Sequence, residues 1–521
     1  MGTTEQDNLQ TLAFTQSDER IQELLQRQHE LSDLGGLSSL ADWDQQTVMP
    51  AGAHEVRGHQ MATLAGITHK RATDPRLGEL LNELRNVVQK PEYTEADRGL
   101  VRIALRSYEQ ATKLPGELVE EAERVQVASI DAWLQAREQK DFALFAPWLT
   151  RTIALQREKA DRLGYVETRY DALLDGSEPE LTASRVEELF APIREVSTRM
   201  LRRIMDSGKT ISSETVEGNF STEKQTQLSE TLLKAMGYNF THGLLARSVH
   251  PFTSSFGSPD DVRLTVRFDE QYLPMAMMAA LHEGGHALYE QSVSRTFLRT
   301  YLASGASMGI HESQSRLWEN VIGRSLSYWK GQYAHVQEVF PEKYKSIPVE
   351  TFTHALNRVE PSLIRVEADE VTYNLHIIIR FEMEKAMVNG DVAVESLPSL
   401  WNAKYREYLG IEPENDTVGI LQDIHWNSGF GYFPSYTLGN LYSAQIANKI
   451  RQSYPDLDER LATGDSSFIL NWLREHLYQL GAMYLPADLL QRVTGEAANP
   501  QYLVNYLTEK FSAIYGLDAA E

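Results

Sequence analysis

Residues 274–293 read PMAMMAALHEGGHALYEQSV, and this stretch decides how the rest of the chain is read. Strong helix formers flank His282 and His286, which stand four residues apart and therefore share one helical face. Their rings can aim at a single point. Glu283 is turned away from that line, so it can reach a water beside an ion more easily than the ion itself. That is the arrangement a zinc hydrolase uses. Gly284 and Gly285 sit between the histidines and cost a helix about 2 kcal/mol relative to alanine. A helix that only had to pack would do better without them, so their presence predicts a close approach by another backbone or a ligand.

A hydrolytic ion needs three protein ligands and an open position. Glu290 continues the histidine face, but its Cα lies about 12 Å along the axis from that of His282, too far to converge on the same ion. The third ligand therefore comes from a second helix. SMGIHESQSRLWENVIGRSLSYWK, residues 307–330, supplies Glu312 and Glu319 as candidates. Glu312 is preferred, since a carboxylate near the start of that helix suits the helix dipole and would escape the crowding of the core. The ion would acidify a water, and Glu283 would take its proton and pass it to a leaving amine. Residues 419–445, GILQDIHWNSGFGYFPSYTLGNLYSAQ, are dense in groups able to stabilise an oxyanion: His425, Tyr432, Tyr436 and Tyr442. No serine elbow, P-loop or dinucleotide fingerprint competes for the active site.

Outward from the site, helical spacing dominates. RIQELLQRQHELSDLGGLSSLADWDQ, LGELLNELRNVVQ and ASRVEELFAPIREVSTRMLRRIMD all place apolar residues three and four apart. One stretch differs. DDVRLTVRFDE, residues 260–270, alternates Val262, Leu264, Val266 and Phe268 with Arg263, Thr265 and Arg267, which predicts a strand. It forms a small hairpin or sheet beside the metal helix, either as cover for the core or as an edge to which a peptide adds. The fold class is thus mostly all-α. A polar tail over residues 1–20 precedes a single helical domain over residues 21–521, in two lobes, with no fixed repeat or long linker.

Bulk properties exclude several classes. The 521 residues are 42% hydrophobic with a net charge of −23, which argues against nucleic-acid or anionic-membrane partners. There are no cysteines, so any metal is held by His, Asp or Glu. The first residues show no basic and apolar signal pattern, Gln6 does not fit a myristoylation motif, and no run approaches the ~20 apolar residues of a membrane span. A soluble, cytoplasmic protein is the expectation.

Six separated strings now bear on one family: HPF at 250–252, DVRLT at 261–265, HEGGH at 282–286, HESQ at 311–314, IRVEAD at 364–369 and GILQDIHW at 419–426. With LSDLGGLSSLADWDQQTVMP at 31–50, they resemble the carboxypeptidase Taq (M32) metallocarboxypeptidases from about residue 20 to the end. The resemblance implies a nearly all-helical fold with a deep active-site groove between two lobes. It implies one divalent metal per chain (zinc, sometimes cobalt), removal of C-terminal residues with broad specificity, and a homodimer. It makes His282, His286 and Glu312 the ligands and Glu283 the base. It places Arg365 and Arg263 near the site as receptors for the substrate carboxylate, a task suited to a planar guanidinium. Arg365 is preferred, because Arg263 can pair with Asp261 within its strand. His425 is expected to serve the oxyanion or substrate amide, with Tyr432 and Tyr436 as further substrate contacts. The alternatives are a groove-type metallo-oligopeptidase or endopeptidase using the same centre, and a helical scaffold with a purely structural metal.

Overall fold

The structure is a computed structural model that describes residues 12–518. The chain forms two compact units: Met1–Thr112 with Glu214–Thr353 and Lys449–Gly495, and Lys113–Ser213 with His354–Asn448 and Glu496–Glu521. Residues 1–11 of the expected polar tail lie outside the described residues. In the remainder of that segment Leu12 and Phe14 are buried, and Thr15 donates to the buried Asp97 carboxylate from both its amide, at 3.1 Å, and its hydroxyl, at 2.6 Å. The helix Glu19–Thr47 follows, started by Asp18, whose carboxylate accepts from the Arg20 amide.

In the first unit the predicted strand exists, but it is short. β1 (Leu245–Arg247), β2 (Thr253–Ser255) and β3 (Val262–Val266) form a sheet in the order β1-β3-β2, with β1 parallel and β2 antiparallel to β3. Val262, Leu264 and Val266 are fully buried, as the alternation requires. Phe268 falls beyond the strand, because the neighbouring strands supply partners for only three residues each. Thr265, expected on the polar face, is buried as well. Its hydroxyl lies 2.6 Å from that of Ser248 and accepts from the Phe252 amide at 3.0 Å, which removes the cost of burying it.

This sheet lies against the histidine helix, Pro274–Glu290, which Pro274 opens in the first turn. Nearly every residue of that helix is buried, because the sheet, the helix Thr222–Met236 and the helix Met308–Arg316 all pack against it. The glycine pair makes this crowding feasible. A Cβ on Gly285 would lie 2.5 Å from the Gln314 carbonyl oxygen, and one on Gly284 would lie 2.8 Å from the Leu233 side chain. The close backbone approach predicted from the sequence is thus made by the helix that carries Glu312.

The second unit is built around the helix Tyr373–Asn389, which is buried along most of its length and packs on Ala183–Asp206, Leu397–Leu409 and Arg169–Leu174. No helix among the described residues is long and apolar enough to cross a membrane.

Candidate metal centre and substrate-binding residues

His282 and His286 turn their rings toward the helix Met308–Arg316, and Glu312 on that helix completes the group. Among the described residues, one donor atom from each of the three lies within 4.8 Å of the others. Glu312 Oε2 stands 3.6 Å from His282 Nε2 and 3.3 Å from His286 Nε2. Ligands about 2.0–2.1 Å from a tetrahedral zinc stand roughly 3.3 Å apart, so the donor set fits such an ion.

What surrounds these atoms decides how they are presented. His282 Nδ1 is 2.8 Å from Glu319 Oε2 and donates to it, which leaves Nε2 with its lone pair facing the centre. His286 reaches the same state by a longer route. Its Nδ1 is 2.6 Å from His311 Nδ1, and His311 Nε2 is 2.7 Å from Glu290 Oε1. With His311 donating to Glu290 and accepting from His286, the neutral form of each metal-facing histidine turns an Nε2 lone pair toward the centre. Glu312 Oε1 accepts from Arg316 Nε at 2.6 Å, so Oε2 is the oxygen left for the histidines.

Glu312 corrects one expectation. It does not sit at an open helix start but in the second turn, 6% exposed, where Arg316 rather than the helix dipole compensates it. Burial pushes its carboxyl up, but Arg316 and the two histidines outweigh that and hold it well below the usual carboxylate range. Glu319 behaves alike: burial is overridden by Arg316, His282 and Arg324, which bring it down to about 2. Burial also lowers His282, yet Glu312 and Glu319 pull it up overall, whereas for His286 burial prevails and takes it down to about 4. The pull on His282 is that of two carboxylates seeking a positive partner, a part that a divalent cation could take in place of the proton.

Glu283 is 5% exposed, and burial raises its proton affinity. Its Oε2 accepts from the Thr253 hydroxyl at 2.7 Å, which joins β2 to the candidate base. Arg263, also in the first unit, is held by Asp261 through two hydrogen bonds of 2.8 and 2.7 Å and lies over the rings of Trp43 and Phe256, 4.9 and 4.8 Å from their centres.

The other expected residues gather in the second unit. Arg365 donates from Nε and Nη2 to Asp423 Oδ1 at 3.0 and 2.9 Å, and from Nη1 to the Tyr373 hydroxyl at 3.3 Å. Arg380, fully buried, donates to Asp423 Oδ2 at 2.6 Å. Phe433 lies beneath both guanidiniums, and Tyr436 lies 5.4 Å from that of Arg365. His425 stacks on Phe433 and Tyr432, with its Nδ1 3.8 Å from Asp423 Oδ1. Arg365, His425, Tyr432 and Tyr436 are therefore one cluster. Tyr442, considered with them on sequence, is buried in the helix Pro434–Ser453.

Sequence reasoning missed the supporting partners: Thr253, His311 with Glu290, Arg316, Asp423 and Arg380. A signal existed for the last. NLHIIIRFEME sets an arginine inside an apolar helix, and a buried guanidinium requires an acid.

A family model described as carboxypeptidase Taq (M32) metallopeptidase matches residues 23–511. The chain is 41% identical over 508 residues to a thermostable carboxypeptidase 1 of Thermus thermophilus, covering 95% of this chain and 99% of that protein. It is 40% identical over 478 residues to a carboxypeptidase 1 of Bacillus subtilis, covering 92% of this chain and 95% of that protein. Among solved structures, an M32 carboxypeptidase from Deinococcus radiodurans superimposes with a TM-score of 0.92 at 37% identity, covering 96% of this chain and all 100% of that one.

Proposed function

The chain belongs to the carboxypeptidase Taq (M32) metallopeptidase family, and from that premise we propose how its residues divide the work. It is a metal-dependent carboxypeptidase. His282, His286 and Glu312 hold one divalent cation. The observation that carries this assignment is the convergence of their three donor atoms within 4.8 Å. Two imidazole nitrogens and a carboxylate oxygen suit zinc, with cobalt as the second choice. Bound there, such an ion supplies Lewis acidity, lowering the pKa of a water towards about 7 and polarising a carbonyl.

Glu283 takes the proton of the attacking water and delivers it to the departing amine. Its burial supports that part, because a carboxylate with raised proton affinity is the stronger base. Arg365 receives the free carboxylate of the peptide. Two guanidiniums share the single Asp423 carboxylate, so the cluster keeps a surplus positive charge that a second carboxylate can satisfy. His425 donates to the developing oxyanion or the substrate amide, while Tyr432 and Tyr436 contact the substrate. Arg263 is the weaker candidate, given its bidentate commitment to Asp261.

Specificity at the C-terminal residue is broad, and the protein acts in the cytoplasm as a homodimer. A dimer is supported by the helix His54–Ala72, which buries none of its residues and exposes Val56 and Ile67, beside the exposed Leu37 and Leu40 of its neighbour. A monomeric mass by light scattering would remove that part.

The deciding assay gives one peptide to the enzyme with a free and with an amidated C-terminus, before and after chelation. A ladder of products shortened one residue at a time, from the free acid only and only with metal, is the expected result. Equal internal cleavage of both forms would instead establish an endopeptidase. Chelation that lowers thermal stability in a protein with no hydrolysis at all would leave a structural metal.

A further inference from the structure

Within the second unit, the helices Gly116–Gln139 and Ala146–Leu163 line a partly open cavity of about 170 Å³, bounded at one side by Asn427 and Ser428. A cavity of roughly 150 Å³ accommodates a benzene molecule, so this one has room for a small organic ligand. One wall, on the helix Gly116–Gln139, is largely apolar, made by Leu118, Val119, Ala122 and Val125. The other carries Thr152, Gln156 and Lys159, which are four and three residues apart and so share one face of their helix.

Packing alone does not account for this polar stripe. Thr152 is 4% exposed, and its hydroxyl has no hydrogen-bond partner. A threonine inside a helix ordinarily bonds the carbonyl four residues back, as Thr150 does to Ala146 at 2.9 Å. Gln156, 7% exposed, uses its amide on the Ser428 carbonyl at a long 3.4 Å. The Lys159 ammonium makes no ion pair or hydrogen bond among the described residues, although burial already lowers its proton affinity. Glu123, also lining the cavity, is an exposed carboxylate that likewise has no ion pair among the described residues.

We propose that this cavity binds one free apolar α-amino acid. Its carboxylate meets Lys159 and the Gln156 amide, its ammonium meets Glu123 and the Thr152 hydroxyl, and its side chain lies on the leucine and valine wall. A plain carboxylate would leave Glu123 opposed to it, and a plain amine would face Lys159. Only a zwitterion answers both charges, and only an apolar one covers the wall. The cavity also touches the turn His425–Asn427, where Asn427 is anchored by the Ser129 hydroxyl and donates to the Ile424 carbonyl at 2.9 Å. Any effect of the bound amino acid on turnover through that turn rests on the role proposed for His425. The binding itself does not.

Titration calorimetry of the full-length protein with leucine, 4-methylpentanoate and isoamylamine tests the assignment. One leucine per chain is expected, with each truncated analogue at least about tenfold weaker. Lys159→Met should weaken leucine by about tenfold or more. Ala122→Phe should fill the space and abolish binding, and both variants should keep parental turnover in the absence of amino acid. Leucine binding left unchanged in both variants would place the ligand elsewhere. Leucine and 4-methylpentanoate binding equally well would reduce the site to an anion pocket, and absence of heat up to the solubility limit of leucine would end the proposal. Because binding is read without hydrolysis, a failure of the peptidase reading leaves this result interpretable on its own.

Discussion

Two buried clusters of charge, one in each unit, are unbalanced in opposite directions. Around the histidines, the carboxylates of Glu283, Glu290, Glu312 and Glu319 outnumber the guanidiniums of Arg316 and Arg324. In the second unit Arg365 and Arg380 share the one carboxylate of Asp423, which they hold well below its usual range against the effect of burial. Glu384 feels Arg380 as well, but burial pushes it up to about 7, so it neutralises the pair only in part. Uncompensated charge inside a protein is costly, and a ligand of opposite charge would lower that cost. A surplus of carboxylate calls for a cation of charge two, and a surplus of guanidinium calls for a monoanion. On the division of labour proposed above, the two halves of a carboxypeptidase's task, activating water and recognising a free carboxylate, would fall to different chemistry.

The sharpest way to break that contrast is Glu283→Gln. If the first cluster performs proton transfer, kcat falls on the order of 10³-fold while elemental analysis still finds the metal. Near-parental turnover would dismiss Glu283 as the base. Glu319→Gln probes the orientation of His282, and metal affinity should drop by roughly 10- to 100-fold in a chelator competition. Unchanged affinity would mean that His282 is held in place without it. Arg365→Ala addresses the other cluster: KM for short free-acid peptides should rise by about tenfold or somewhat more, with metal content intact. Equal kinetics would move the carboxylate receptor elsewhere.

The smallest effect concerns Glu384, whose carboxylate accepts from Tyr170, Trp426 and the Gly431 amide. Its affinity for a proton is raised from 4.5 to about 7 in the folded protein, so the folded state holds a proton that the unfolded chain has already lost. The stability this contributes is complete below about 4.5 and is lost as pH rises through about 7. Denaturation midpoints at pH 5 and pH 8 should therefore differ less in Glu384→Gln than in the parent. An unaltered difference would show that the group titrates normally.

Much of this was legible from local pattern. Four-residue spacing placed His282 and His286 on one face, and alternation located β3 because its neighbours really do bury Val262, Leu264 and Val266. The glycine pair announced a close backbone, and Gln314 is that backbone. Glu312 rather than Glu319 joins the donor set, although the sequence argument for it failed, since helix dipole and exposure play no part at a buried second turn. Glu319 was harder to assign because it lies in the π-helical stretch Leu317–Ile322, where ordinary helical phase no longer says which way a side chain points. Thr253 was illegible for another reason: a three-residue strand offers no alternation to read. Asp423 stands 58 residues from Arg365 and 43 from Arg380, a pairing that no local window contains.

The Thr253 hydroxyl carries a single hydrogen and has two acceptors on one residue, the Glu283 carbonyl at 3.0 Å and its Oε2 at 2.7 Å. While the carboxylate is ionised, that hydrogen belongs on Oε2. Once Glu283 has picked up a proton, a rotation of one C–O bond moves the hydrogen to the backbone oxygen, and nothing is left unsatisfied. The Thr253 hydroxyl can thus follow a change in the charge of Glu283 without any heavy atom having to shift.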